Sequence, residues 1–258
     1  AVTDVASVFP GRARSDGRFY VVDFTLAELK SLRVVERRDQ ATDGPLLGGR
    51  FPECDTGLSI ATLAESINLI QGLNRSRNRQ VGLYTELKAP SFHHKEGKDL
   101  AAVVLETLHS FGYQGPVDHC IVMSFDPHEL SRIRLGLGSK LPLCQLAHEG
   151  VSESCHCDYE QMMTAEGLEK IKAYADTLGP SLAQLIEGDG KGGFQVTGLG
   201  HLVREAGLAL APHTFRADHL PSWAGSMEEM MAVYVDEVHI EAVNTDFPDL
   251  AVEFLSGR

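Results

Sequence analysis

The sequence predicts an α/β fold of the (β/α)8 TIM-type barrel class. Three observations predict it. From residue 80 onward, short apolar runs alternate with amphipathic helical stretches, and that alternation means a parallel sheet with crossover helices. The candidate strands begin at 80, 119, 141, 180, 208 and 241, spacings that suit βα units. No phosphate-cradling glycine loop is present, because the richest Gly cluster, "EGDGKGGFQ" (187–195), lacks GxGxxG spacing and reads as a surface turn. That lowers a Rossmann or P-loop fold and favours the barrel, although six βα units are two short of eight.

Each element has its own signal. Thr25-Leu26-Ala27-Glu28 and Thr62-Leu63-Ala64-Glu65 match the capping box and open the helices "TLAELKSL" and "TLAESINLIQGL". Between them, 37–58 is rich in Gly, Asp, Arg and Pro and reads as a long loop. The strands are "QVGLYTELKA" (80–89), "HCIVMSF" (119–125), "LPLCQLA" (141–147), "PSLAQLI" (180–186), "LALAPHTF" (208–215) and "EAVNTDF" (241–247). Helical patterns follow or separate them: "KDLAAVVLETLHSFGY", "PHELSRIRLGL", "AEGLEKIKAYADTLG", "LGHLVREAGL", "MEEMMAVYVDEV" and "PDLAVEFL". In the first, Leu100, Val104, Leu108 and Phe111 recur at helical spacing. Asp126-Pro127 supplies an N-cap and a proline at the first helical position. Residues 1–258 read as one barrel domain.

Composition excludes some functions. With 36 acidic and 23 basic residues the formal charge is −13, which argues against a nucleic-acid surface. No apolar run approaches the roughly 18 residues of a membrane helix. An anionic substrate would need a local cation, either a metal ion or placed Lys and Arg. The five cysteines (54, 120, 144, 155 and 157) are an odd number and forbid a fully paired framework. "SESCHCD" with His148 upstream lacks zinc-knuckle spacing and reads as a structural loop.

One stretch is out of keeping with a plain strand. In "GLYTELKAP" (82–90), Val81, Leu83, Thr85 and Leu87 face one way while Gly82, Tyr84, Glu86 and Lys88 face the other. Parallel strands between helices are covered on both sides, so two charges there need each other or another ion. They also fall at the carboxyl end of the strand, where barrel enzymes place their chemistry. A structural ion pair on an edge strand is the plainer reading.

"GLYTELKAPSFHHKEGKDLA" (82–101) resembles the third-strand motif of the glycerophosphodiester phosphodiesterases, which reads close to P-E-I-K-A-P-x-F-H-H-x-E-G-K-D. The resemblance extends through 2–32, "GRFP" (49–52), "AYADTLGPS" (173–181) and "NTDFPDLAVEFL" (244–255), nearest to the bacterial periplasmic type, and it is weak over 35–60 and 147–160. It implies a (β/α)8 barrel that hydrolyses glycerophosphodiesters to glycerol 3-phosphate and an alcohol, in glycerophospholipid and glycerol metabolism. It implies a divalent cation, Ca2+ or Mg2+, held by three carboxylates. Glu86 matches the metal carboxylate of the third strand, and Lys88 the lysine that faces the substrate phosphate. Hard oxygen ligands suit either ion.

The family's His-Arg-Gly, Glu-x-Asp and His-Asp elements, which carry both catalytic histidines and two metal carboxylates, are absent from this chain, where no His precedes His93. The expectation is therefore a barrel whose first two βα units are missing from the sequence, and a chain that is inactive by itself. The alternative is a non-catalytic surface or binding protein that keeps the barrel. An aldolase using Lys88 as a Schiff base is disfavoured by the downstream "APSFHH…EGKD" match. His93 and His94 read as loop structure, Asp126 as an N-cap, Asp246 as part of a turn and Arg216 as a surface arginine. His213 and Trp223 are candidate substrate-lining residues, with packing as the other reading of each. The expected partner is a small glycerophosphodiester, with no nucleic acid, no transmembrane segment and an oligomeric state left open. The chain opens on "AVTDVASVFP" without a readable leader, so periplasmic or extracellular placement is an expectation from the resemblance alone.

Overall fold

The computed structural model describes residues 3–35, 37–39, 41, 42, 44–47, 50, 57–152 and 155–258. The chain divides into two compact units, residues 1–79 and 80–258. In the first, α1 (Val5–Val8), α2 (Leu26–Ser31) and α3 (Leu63–Arg77) are joined by irregular chain with isolated bridges such as Thr3 with Val34 and Arg33 with Ser59. Both predicted capping boxes form, Thr25 with Glu28 and Thr62 with Glu65. Lys30 ties the two helices together, donating to Glu65 at 2.5 Å and to the Ile60 carbonyl at 2.9 Å. The described part of 37–58 contains neither helix nor strand, as its composition predicts.

The second unit begins with β1 (Leu83–Glu86), α4 (Pro90–Lys95), α5 (Leu100–Ser110), β2 (Cys120–Ser124), α6 (Pro127–Ser131) and β3 (Leu143–Leu146). A small hairpin of β4 (Val151–Ser152) and β5 (Cys157–Asp158) leads into α7 (Tyr159–Met162), α8 (Ala165–Lys172) and β6 (Thr177–Gly179). A second hairpin, β7 (Ile186–Gly188) and β8 (Phe194–Val196), precedes α9 (Leu199–Glu205) and β9 (Ala209–Leu210), and α10 (Met227–Val233) and α11 (Pro248–Ser256) close the chain. The central sheet is parallel throughout, in the order β1-β2-β3-β6-β9. Parallel bridges of Ser181 with His213 and of Phe215 with Thr245 carry the pairing past β9. Sequential parallel strands with helical crossovers are the TIM-type arrangement that the alternation predicts.

The register sorts the side chains. Glu86 aligns with Met123, Cys144, Thr177 and Ala209, and Tyr84 with Ile121. The opposite face carries Leu83, Val122, Leu143, Leu178 and Leu210, all buried and all on the side that helices cover. Tyr84 confirms the direction of the first face, since the Cys144 thiol and the Asn244 side chain both act on its hydroxyl. Burial is the largest influence there and pushes that hydroxyl well above the usual tyrosine range.

Two strand boundaries depart from the sequence reading. The strand placed at 180–186 lies instead at Thr177–Gly179, and 182–184 forms a tight 3-10 turn. Pro180 has no N–H to give a ladder, and Ser181 with Gln184 caps the turn that follows. Leu182 and Leu185 look like a strand only because their run is apolar, while Ile186 opens β7. The strand placed at 241–247 is reduced to the single bridge at Thr245. The Gly cluster at 187–195 is the turn between β7 and β8, as expected.

Gly82 shows how tightly β1 is seated. A Cβ there would lie 2.3 Å from the His119 carbonyl oxygen, a backbone atom that cannot step aside. Gly82→Ala is therefore expected to lower stability by about 1–3 kcal/mol in urea unfolding, and an unchanged midpoint would show that β1 and the 119–120 segment are loosely joined.

Candidate active site

The carboxyl end of β1 is built around Leu87. Its side chain is only 2% exposed and anchors on the helix-covered face. Its N–H donates to the Met123 carbonyl at 2.8 Å, and its own carbonyl accepts from the Ser124 hydroxyl at 2.9 Å. Glu86 and Lys88 flank it and so share the other face. Lys88 Nζ lies 2.9 Å from Glu86 Oε1. The Lys88 side chain is 79% exposed and that of Glu86 20%, so the expectation of a pair buried on both sides is corrected. Lys88 stands beyond the last residue of β1, where the strand has ended. An ion pair with one partner this exposed contributes little to stability, about 0–1 kcal/mol, so folding alone does not account for it.

Beyond Lys88 the chain turns sharply. Ala89 adopts a left-handed conformation (φ 47°), unusual for a residue with a Cβ and more so before proline. Such a conformation costs on the order of 1–3 kcal/mol and persists where surrounding contacts enforce it. Pro90 then opens α4, buried at its first position.

The contacts that enforce this turn come from the β2–α6 junction. Ser91 donates to Asp126 Oδ2, while Asp126 Oδ1 accepts from the amides of His128 (3.0 Å) and Glu129 (3.2 Å). Asp126 is thus the N-cap the sequence predicts. His94 Nε2 meets Glu129 Oε2 at 2.9 Å, and Arg132 bridges Glu129 Oε1 (2.9 Å) to Asp99, which caps α5 through the Ala102 amide. Arg132 and the Ala102 amide hold the Asp99 carboxyl below the usual range. "FHHKEGKD" is thereby the clamp of this loop, in agreement with the structural reading of His94, and His93 packs edge-on to Phe92 at 5.4 Å.

His94, Asp99 and Glu129 hold their ligand atoms within 4.8 Å of one another, so they could also hold a cation. The guanidinium of Arg132 already bonds both carboxylates and offsets one of their two negative charges. A metal bound there would have to displace that guanidinium, and with Arg132 in place the cluster is an ion-pair network.

A cavity of about 290 Å³ opens beside the Glu86–Lys88 pair, lined also by Ser91, Phe125, Asp126, His148 and Tyr159. Aromatic contacts build its far wall: Phe125 lies 5.8 Å from His148 and 5.5 Å from His213, and His148 lies 4.5 Å from Tyr159. Tyr159 donates to the Phe125 carbonyl at 2.8 Å. Cys155, which lines the cavity, is joined to Cys157 in a disulfide, so neither offers a thiolate to a metal. Cys120 and Cys144 are buried thiols whose pKa values burial raises to about 11 and about 12, while Cys54 lies outside the described residues.

His213 joins this group from the end of the β9 strand line. Its Nδ1 is buried without a hydrogen-bond partner among the described residues. Burial lowers its pKa, and the Gly179 carbonyl and the charges of Glu86 and Glu149 oppose that only in part. Glu149 in turn accepts from Ser181 at 2.5 Å, the main reason its carboxyl titrates low. Trp223 packs on Phe194 at 4.9 Å and lies 6.3 Å from Tyr234, and it is not among the residues lining this cavity. Arg216 pairs with Asp246 at 2.9 Å.

For a divalent cation the described residues supply one suitably placed hard oxygen donor, Glu86. Asp126 is committed to its cap and to Ser91, and Glu149 to Ser181. No three-ligand group forms at this mouth among the described residues. The donor set fits part of a hard-cation site rather than a whole one.

Parallel βα architecture of this kind is that of the α/β barrel enzymes, and a carboxylate and a lysine stand at the carboxyl end of its β1. Residues 1–250 match the model of the glycerophosphoryl diester phosphodiesterase family, and the chain belongs to that family. It is 36% identical over 274 aligned positions to the glycerophosphodiester phosphodiesterase of Treponema pallidum, covering 98% of this chain and 76% of that protein. The Haemophilus influenzae protein of the same name is 35% identical, covering 99% and 75%. A crystal structure from Silicibacter pomeroyi, 21% identical, superposes with a TM-score of 0.64 over 94% of this chain and 73% of its own, and shares the fold.

The lowered pKa of His213 sets a pH dependence. The folded chain resists protonating this ring, whereas the unfolded chain takes the proton near pH 6.5. Stability relative to His213→Phe should therefore be level above about pH 7.5 and fall as pH drops through about 6.5. Urea unfolding of both proteins from pH 5 to 8 checks this, and a level difference throughout would place the ring in water.

Proposed function

We propose that this protein hydrolyses glycerophosphodiesters to glycerol 3-phosphate and an alcohol, with a divalent cation bound in part by Glu86 and the substrate phosphate held by Lys88. The observation that carries the reading is the Glu86–Lys88 pair at the mouth cavity. The pair is too exposed to serve folding, yet it is held by a left-handed Ala89 and a clamped loop. Family membership adds the substrate class, which the Treponema and Haemophilus relatives carry in their names.

Lys88 spends one N–H on Glu86 and has two left for phosphoryl oxygens. Its exposure leaves it free to meet an incoming diester, and the positive charge favours the redistributed charge of the transition state. A divalent cation held in part by Glu86 would supply further positive charge to the substrate phosphate. Glu86 contributes a hard oxygen donor and keeps Lys88 oriented. Phe125, His148 and Tyr159 exclude water from one side of the cavity. The His-Arg-Gly, Glu-x-Asp and His-Asp elements are absent from residues 1–258, so the residues assigned here are those that bind the cation and the phosphate. The Cys155–Cys157 disulfide supports a location in an oxidising compartment, in line with a periplasmic or extracellular setting.

In the full-length protein, Glu86→Gln should abolish cation-dependent release of glycerol 3-phosphate while unfolding stays native-like; unchanged activity would remove Glu86 from the site. Lys88→Met should lower kcat/KM at least tenfold, about 1.4 kcal/mol of transition-state stabilisation, and a smaller effect would argue against phosphate contact. Cation binding by the full-length protein without any turnover would favour the binding-protein reading.

A further inference from the structure

We propose that Ser124, backed by Asp126 and Ser91, is a positioning residue for the Glu86–Lys88 pair and acts through the Leu87 carbonyl. The inference rests on the reading of that pair as the cation- and phosphate-binding edge of the mouth.

Ser124 is fully buried at the end of β2 and Asp126 is 6% exposed, so neither hydroxyl nor carboxylate is there for solubility. Ordinary strand pairing ends where the Leu87 N–H meets the Met123 carbonyl. Past that point β1 and β2 separate, and the cavity opens between Leu87 and Lys88 on one side and Phe125 and Asp126 on the other. Separation would leave the Leu87 carbonyl and the Asp126 N–H buried without ladder partners, which is costly. The Ser124 hydroxyl satisfies both. Its Oγ accepts from the Asp126 N–H at 3.2 Å and donates to the Leu87 carbonyl at 2.9 Å. One side-chain oxygen is thus inserted into the ladder, and it lets the strands diverge without losing hold of each other.

The relay continues on the acid. Asp126 Oδ2 takes the Ser91 hydroxyl from the far side of the Ala89 turn, and Oδ1 takes the first amides of α6. Residues on both sides of Glu86-Leu87-Lys88-Ala89 are therefore fixed to one junction, at Leu87 before the turn and at Ser91 after it. A rotation of the Leu87 peptide would swing Lys88 directly, because that peptide joins the two residues. Glu86, held by the preceding ladder bond, would stay nearer its place. The arrangement therefore governs the relative aim of the two charged groups rather than the presence of either. Ser91 and Asp126 stand 35 residues apart in sequence and Ser124 and Leu87 stand 37 apart, so no local strand requirement accounts for them.

The test uses the full-length protein and two readouts. The first is steady-state kinetics on a glycerophosphodiester together with Mn2+ affinity as the probe of the cation site. Ser124→Ala should lower kcat/KM by about tenfold to a hundredfold, mostly in kcat, the scale set by a misaim of about 1 Å. Ser124→Thr, which keeps the hydroxyl, should recover most of that. A purely structural role would lower thermal stability and leave kcat/KM per folded molecule and the Thr rescue unaffected. The second readout is NMR order of the Leu87–Lys88 backbone and of the Lys88 side chain, which needs no turnover. Ser124→Ala should raise mobility at Lys88 and leave Glu86 less changed. Equal order in native and variant overturns the proposal whatever the kinetics show. Should Ser124→Ala not fold, Asp126→Asn keeps the cap oxygen and alters the Ser91 link alone. It should mobilise the Ala89 turn, and an unchanged turn counts against the proposal. A native protein without turnover would defeat the proposed function, while the NMR comparison would still decide the positioning role.

Discussion

Leu87 is the constraint on which the site depends. Its side chain is sealed against the helix-covered face, its N–H closes the last ladder bond to Met123, and its carbonyl is held by Ser124. Strand alternation then leaves Glu86 and Lys88 no choice but to share the opposite face. Were Leu87 free to rotate, the 2.9 Å contact between the two charges would be one of many exposed arrangements, with little to favour it. Burial of one apolar side chain thus fixes the aim of two polar ones, and the sheet behind β1 supplies the rigidity.

Two clusters compete for a cation, and electrostatics separates them. Around His94, Asp99 and Glu129 the carboxylates converge, but Arg132 stands among them with geometry that matches a carboxylate pair. Arg132 offsets one of the two negative charges there, and the network secures the α4 loop to α6. At the mouth the balance differs. Among the described residues the hydrogen-bond partner of the Glu86 carboxylate is Lys88. Burial lowers the pKa of the His213 ring, and the charges of Glu86 and Glu149 oppose that only in part. The mouth therefore presents a carboxylate and an ammonium that still have bonding capacity, which is what an oxygen-rich anionic ligand and its counter-ion would use.

Much of this was legible in the chain. Alternation of apolar runs gave the parallel strands at 83–86, 120–124 and 143–146, and TxxE gave both capping boxes, because these signals are local. The motif at 82–101 pointed to Glu86 and Lys88 before any contact was known. The misplaced strand at 180–186 arose because apolarity cannot distinguish a strand from a capped turn, and Pro180 was the signal to heed. Burial of Lys88 is the expectation that fails, because alternation does not say where the strand ends. The links of Ser91 to Asp126, His94 to Glu129 and Ser124 to Leu87 span 35 to 37 residues, so they exist only once β1 and β2 have paired. Asp126 was readable as a cap, but its second oxygen was not.

The central claim is that Glu86 and Lys88 form the cation- and phosphate-binding edge of this barrel. The most direct measurement is anomalous diffraction from crystals of the full-length protein grown with Mn2+ and glycerol 3-phosphate. The account predicts an anomalous peak within coordination distance of the Glu86 carboxylate, with a phosphate oxygen in hydrogen-bond contact with Lys88 Nζ. A peak at the His94–Asp99–Glu129 cluster with Arg132 displaced, or a phosphate bound away from Lys88, would contradict it.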